Sequence, residues 1–260
     1  MSRIIAIANQ KGGVGKTTTA VNLSASIAAA GHRVLLLDMD PQANATSGLG
    51  VDARDLKASV YELIADGCKA EEVLLPTPVP GLTLLPAAAR LSALEVELVN
   101  QPQRSFFLKR ALEPIQENYE FVFIDSPPSL GLLTVNILSA ARSILIPIQC
   151  EYYALEGLGQ LLSVVTHIQR DQNPALFIEG IVLTMYDRRL NLSRQVVQEA
   201  TRYFEDRVYK TVIPRNVKLS ESPSFGRPIL LYDLESSGAQ SYIQLGQEVI
   251  HAEKSIGQGA

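Results

Sequence analysis

Residues 10–18 read QKGGVGKTT, a stretch in which two lysines enclose three glycines and two threonines follow. That set of residues suits the holding of phosphate groups. Gly12, Gly13 and Gly15 let the backbone turn tightly around Val14 and aim N–H groups at phosphate oxygens. Lys16 is placed to hold β- and γ-phosphates, and the Thr17 hydroxyl to meet Mg²⁺. The first glycine of the usual G-x-x-x-x-G-K-[ST] pattern is missing, and Lys11 follows its slot. A loop that already has Lys16 has no obvious use for this second lysine.

A phosphate loop also needs a carboxylate for its metal, commonly at the end of a later strand. FVFIDSPP supplies Asp125 directly after an apolar run, where it can hold a magnesium-bound water. A second acidic pair, Asp38 and Asp40, follows RVLLL in LLLDMDPQ. One residue between them puts both carboxylates on the same side of an extended segment. One can position or deprotonate an attacking water while the other orients the magnesium shell.

These groups work only if a rigid frame brings them together. Arg3 to Ala8, Arg33 to Leu37, Leu82 to Leu85, Phe121 to Ile124, Ser143 to Ile148, Phe177 to Leu183 and Val208 to Ile213 read as strands. Helical spacing falls between them, over Thr17 to Ala30 with Gly31 closing it, Gln103 to Leu112, Leu132 to Ala141, Leu155 to Arg170, Leu192 to Phe204 and Ala239 to His251. VLLL, FVFI and SILIPI show no polar alternation, as expected of strands covered by helices on both faces. The pattern predicts an α/β fold, a doubly wound and mainly parallel sheet, with Asp38, Asp40, Asp125 and the glycine loop all at the carboxyl ends of strands. Residues 45–80, rich in Gly, Asp and Pro, read as an elaborated crossover with one short helix near Ser59 to Ile64. Residues 1–260 are expected to form one domain, with a flexible tail from about 253.

Composition narrows the class. The chain has 260 residues, 47% of them hydrophobic, enough for a full core. No apolar run is long enough to span a membrane, and the first hydrophobic segment is too short for a secretory signal, so a cytoplasmic protein is expected. Cys68 and Cys150 lie far apart with no C-x-x-C or nearby His, which argues against zinc or a disulfide framework. A net charge of −4 excludes a protein coated in basic charge, though not one with a local basic face.

The set KGGVGKTTT, LLLDMDPQANAT, FIDSPPSLG, PIQCEYYALEGL, TMYDRR and VIPRNVKLSESPSFGRPI closely resembles the ParA/Soj chromosome-partitioning ATPases of the deviant Walker A class. Six separated motifs in order, over about residues 3–250, carry that resemblance. It implies an ATP- and Mg²⁺-dependent ATPase whose nucleotide is sandwiched between two subunits. Lys11 would then be the signature lysine that reaches the phosphates bound by the partner, much as an arginine finger does, an effect of ~10³ to 10⁵ in rate in comparable systems. The resemblance assigns Lys16, Thr17 and Thr18 to phosphate and magnesium, Asp40 to the hydrolytic water and Asp125 to the metal shell. It places Met185, Pro214 and Asn216 around the adenine.

Relatives of this type bind double-stranded DNA of the nucleoid without sequence preference, and a ParB-like centromere-binding protein stimulates their hydrolysis. The charge distribution allows the first of these. Between Thr184 and Leu230 nine basic side chains face five acidic ones, a net +4 that leaves −8 for the rest of the chain. Arg189 and Arg215 match DNA-contacting arginines of the family, with Lys218 and Arg227 as further candidates. A membrane regulator of the MinD type would need a basic amphipathic tail, and IHAEKSIGQGA has one lysine and no such apolar face. An iron–sulfur reductase would need interfacial thiolates, for which only Cys150 is suitably placed. A ParA-like protein that positions another cargo stays open, because cargo choice lies in a partner surface.

Overall fold

The computed structural model describes residues 2–151 and 158–256. Eight strands form one sheet: β1 (Arg3–Ile7), β2 (Val34–Asp38), β3 (Leu75–Pro76), β4 (Leu82–Leu85), β5 (Phe121–Asp125), β6 (Ser143–Gln149), β7 (Phe177–Tyr186) and β8 (Val208–Pro214). They lie in the order β3-β4-β2-β5-β1-β6-β7-β8, all parallel except the β3/β4 pair. β1 sits between β5 and β6, so the chain builds one half of the sheet, returns beside β1, and then builds the other half. A crevice at the carboxyl end of a doubly wound sheet forms at such a reversal, and the glycine loop follows β1 there.

Alternate side chains of the central strands feed two separate cores. Ile5, Ile7, Val34, Leu36, Phe121, Phe123 and Leu145 pack toward α1 (Lys16–Ala29) and the C-terminal helix Ser237–Ile256. Ile4, Ala6, Leu35, Leu37, Val122, Ile124 and Ile144 pack toward the helices Leu132–Ala140, Leu158–Asp171 and Asn191–Phe204. This two-sided burial is why the strands read as unbroken apolar runs.

Most expected elements stand within a residue or two of their predicted bounds, and the exceptions have local causes. The helix expected from Gln103 begins only at Phe107: Gln103 itself adopts φ 55°, a left-handed conformation outside a right-handed helix, and residues 104–106 form a turn and a bend. The last helix runs Ser237–Ile256: it starts two residues early, where the Ser236 hydroxyl accepts the Ala239 N–H at 3.2 Å, and continues five residues past the expected end at His251, through 253–256 of the tail expected to be flexible. The short helix in the crossover is Val60–Ala65, begun by a capping box between Ser59 and Glu62. The two-residue β3 was not expected. Residues 152–157, which carry part of the PIQCEYYALEGL motif and the expected helix start at Leu155, lie outside the described residues, as do 257–260 of the expected flexible tail.

Candidate phosphate and nucleotide site

The loop after β1 turns through Gly13 at φ 73° and Gly15 at φ 89°, conformations that favour glycine. Gly15 is the N-cap of α1, no side chain caps that turn, and the first turn carries no acidic residue. The leading N–H groups and the positive end of the helix are thereby left for an anion. Two side chains hold the loop in this shape. Asn9, buried, donates from Nδ2 to the Pro147 carbonyl at 2.7 Å and accepts the Lys11 N–H on Oδ1 at 3.0 Å. Thr184 donates from Oγ1 to the Val14 carbonyl at 2.8 Å, tying the loop to β7. Neither was singled out from the sequence, where each is only a polar residue at the end of an apolar run.

The two lysines are placed differently. Lys16 is buried, and its Nζ donates to the Lys11 carbonyl at 3.3 Å. Burial lowers its affinity for a proton, while Asp125 and Asp40 act in the opposite sense. The Lys11 ammonium, on a half-buried residue, has no hydrogen-bond or ion-pair partner among the described residues. One cation is thus folded back into its own loop and the other is uncommitted.

Behind the loop stand three buried carboxylates. Asp38 and Asp125 are paired across the β2/β5 ladder and neither is accessible to solvent. Both oxygens of Asp38 are bonded: Oδ1 accepts the Asp40 N–H at 3.1 Å, and Oδ2 accepts both the Thr46 N–H and the Thr46 hydroxyl at 2.8 Å. Burial, with a contribution from Asp40, still pushes its pKa up to about 6. Both oxygens of Asp125 are buried without a hydrogen-bond partner among the described residues, and the neighbouring Ser126 hydroxyl is likewise unpaired among them. Burial and the Asp38 charge hold the Asp125 carboxyl well above the usual carboxylate range, and Thr17 and Lys16 offset this only in part. Asp40 uses Oδ1 to accept the Gln42 N–H at 2.9 Å and has no hydrogen bond to its other oxygen among the described residues.

This donor set fits magnesium as phosphate-binding proteins hold it. Mg²⁺ keeps several waters and takes one or two protein oxygens beside the phosphates. No cluster of three or more metal-ligating His, Cys, Asp or Glu exists among the described residues. Two oxygens on Asp125 and the Thr17 hydroxyl are the groups that could serve an ion shared with a phosphate chain; Asp38, also expected at the metal, already accepts three hydrogen bonds and keeps one lone-pair site on Oδ1.

Next to the loop a cavity of about 420 Å³ is lined by Gly15, Thr18, Met185, Pro214, Asn216 and Tyr242 among others. Its size and mixed lining suit a purine base and ribose. Met185 sits at φ 52°, a strained conformation for this residue, at a break in the β7/β8 register. The Asn216 carbonyl caps the short helix Val217–Glu221 by accepting from Lys218 and Leu219 N–H, and its amide donates to Ser237 at 2.8 Å. Asn216 therefore lines the cavity with both ends of its side chain in use.

The basic candidates fall into separate groups. Arg189 and Arg215 line one cavity with Arg188 and Asp187 just beyond the ends of β7 and β8. There Arg189 makes a two-pronged pair with Asp187, Nε to Oδ1 at 2.9 Å and Nη2 to Oδ2 at 2.6 Å, while remaining 82% exposed. Lys218 pairs with Glu221 at 3.2 Å and lies over the Tyr232 ring. Arg227 is elsewhere, lining a cavity of about 250 Å³ with Thr17, Thr18 and Asn22 on the side of α1.

The parallel sheet, the glycine loop and the carboxylates behind it define a P-loop ATPase. Residues 2–178 match the AAA domain family model. The chain is 55% identical over 249 residues to the sporulation initiation inhibitor protein Soj of Bacillus subtilis, covering 96% of this chain and 98% of that one. It is 53% identical to the chromosome partitioning protein ParA of Myxococcus xanthus, covering 96% and 88%. Among solved structures, cobyrinic acid a,c-diamide synthase of Mycobacterium smegmatis with bound ADP and magnesium has a TM-score of 0.87 at 37% identity, covering 98% and 96%. The cell division ATPase MinD of Pyrococcus furiosus has a TM-score of 0.80 at 27% identity, covering 96% and 99%. The chain belongs to the Soj/ParA family of chromosome-partitioning ATPases. It is an ATPase that uses ATP and magnesium. No helix among the described residues is long and apolar enough to cross a membrane.

Proposed function

We propose that this ATPase is a nucleotide-gated switch: with ATP bound it forms a homodimer across its loop face, binds nucleoid DNA without sequence preference, and lets go when a ParB-like partner speeds slow hydrolysis. The observation that carries this reading is the uncommitted Lys11 ammonium beside a loop whose own Lys16 is already turned inward. A cation with no partner among the described residues of its own subunit is available to a phosphate chain held by another. Hydrolysis then depends on dimerisation.

In this reading Gly12, Gly13, Val14 and Gly15 offer backbone N–H groups to the phosphates, Lys16 exchanges its bond to the Lys11 carbonyl for phosphate oxygens, and Thr18 faces the nucleotide. Thr17 and Asp125 would hold magnesium, which would supply neutralisation of charge on the phosphate oxygens. Asp40 aims its free oxygen at the attacking water. Met185, Pro214 and Asn216 enclose the base by shape.

Arg215 and Arg189 supply the DNA face. A surface ion pair such as Arg189–Asp187 is weakened by solvent screening, so a DNA phosphate can displace Asp187. Two subunits double the number of phosphate contacts, and affinity rises steeply with that number. The test is a gel shift with ATP, ADP, no nucleotide and the Asp40→Ala protein. The switch predicts binding with ATP and persistent binding by Asp40→Ala with ATP; equal binding in all four would exclude it.

A further inference from the structure

The geometry assigns Thr46 as a positioning residue for hydrolysis: its hydroxyl locks Asp38, and through Asp38 sets where Asp40 stands. Thr46 lies eight residues beyond Asp38 in the short helix Asn44–Gly48 and has no solvent exposure. Its Oγ accepts the Ala87 N–H at 3.0 Å. A backbone N–H can only donate, so the hydroxyl proton is left to point at Asp38 Oδ2, 2.8 Å away. The Thr46 N–H reaches the same oxygen at 2.8 Å.

The other oxygen of Asp38 accepts the Asp40 N–H at 3.1 Å. The Asp40 backbone is thus held by a side chain that Thr46 holds in turn, and the line of bonds is anchored at Ala87, just past the end of β4. Asp40 spends Oδ1 on the Gln42 N–H at 2.9 Å, which orients its remaining oxygen. The backbone around this chain is bent to allow it: Ala43 takes φ 53°, a conformation unusual for alanine, and starts the helix that delivers Thr46. Valine in place of Thr46 would keep the shape and the backbone bond but leave the Ala87 N–H without its acceptor and Asp38 short of one donor.

This inference rests on the reading that Asp40 serves the attacking water. Small displacements of a group that orients a reactant lose rate without losing substrate. Phosphate release by the full chain at saturating Mg-ATP, together with equilibrium binding of a fluorescent ATP analogue, is measured for wild type, Thr46→Val, Thr46→Ser and Asp40→Ala. Thr46→Val is expected to lose on the order of tenfold to a hundredfold in kcat, to bind nucleotide within about twofold of wild type, and to be rescued by Thr46→Ser. Wild-type turnover in Thr46→Val, or turnover and nucleotide binding lost together, would overturn the assignment. If Asp40→Ala itself turned over at the wild-type rate, the parent reading of Asp40 would fail instead.

Discussion

Asp38 and Asp125 are directly paired across the β2/β5 ladder, both sealed from solvent, yet among the described residues the carboxylate of one accepts three hydrogen bonds and that of the other none. Asp38 is a fastener, and Asp125 leaves its acceptor capacity unused. A buried carboxylate left unpaired costs stability.

The first prediction follows from that cost. An acid whose pKa is raised by folding binds its proton more tightly in the folded state, so folded-state stability falls as pH rises from the ordinary carboxylate value through the raised one. For Asp38 the window runs from 3.8 to about 6, and Asp125 extends it upward. Nucleotide-free protein should therefore lose part of its thermal stability across this range. Asp125→Asn should melt a few degrees higher than wild type at pH 7 without nucleotide and show less of that loss. Thermal melts at several pH values check both statements, and a lower melting temperature for Asp125→Asn would contradict them.

Asp40→Ala separates binding from hydrolysis. Nucleotide affinity should stay near wild type while turnover falls by roughly 10²-fold or more, the usual contribution of a positioned base. Phosphate release and nucleotide titration, run side by side, read the two quantities independently.

Arg215→Ala should retain slow ATP hydrolysis and lose most DNA binding. Arg189→Ala should weaken DNA less, because Arg189 must first leave Asp187. Each lost phosphate contact lowers the salt slope of binding by about 1 per subunit. Fluorescence anisotropy with a random-sequence duplex at several salt concentrations measures affinity and slope together. Unchanged slopes in both variants would remove these arginines from the DNA face.

Gly226→Ala tests how the crossover is joined to the C-terminal region. Gly226 has φ 61°, and a Cβ there would lie 2.5 Å from Gly50 Cα. Neither backbone can yield cheaply, so a loss of about 1–3 kcal/mol in urea unfolding is expected.

The sheet was legible because burial on both faces writes each parallel strand as a continuous apolar run, and the glycine loop because φ above zero at Gly13 and Gly15 demands glycine. Asp38, Asp40 and Asp125 were legible as residues that follow such runs. What the spacing did not reveal is how differently they are bonded, since that depends on Thr46 and Ala87, which meet them only after the crossover folds back. Asn9 and Thr184, which hold the loop from β6 and β7, were hidden for the same reason. The late start of the helix at Phe107 follows a left-handed residue, Gln103, and a turn after it, which nothing in the Gln103 side chain announces.

In the proposed switch Lys11 acts on the nucleotide of a second subunit. This is tested most directly with Lys11→Ala, by sizing the protein by light scattering with ATP and magnesium and titrating the same sample with DNA. Lys11→Ala should show near-normal ATP binding, a monomer at concentrations where Asp40→Ala is a dimer, and no ATP-dependent DNA binding. A Lys11→Ala protein that dimerises with ATP and binds DNA like wild type would contradict that role.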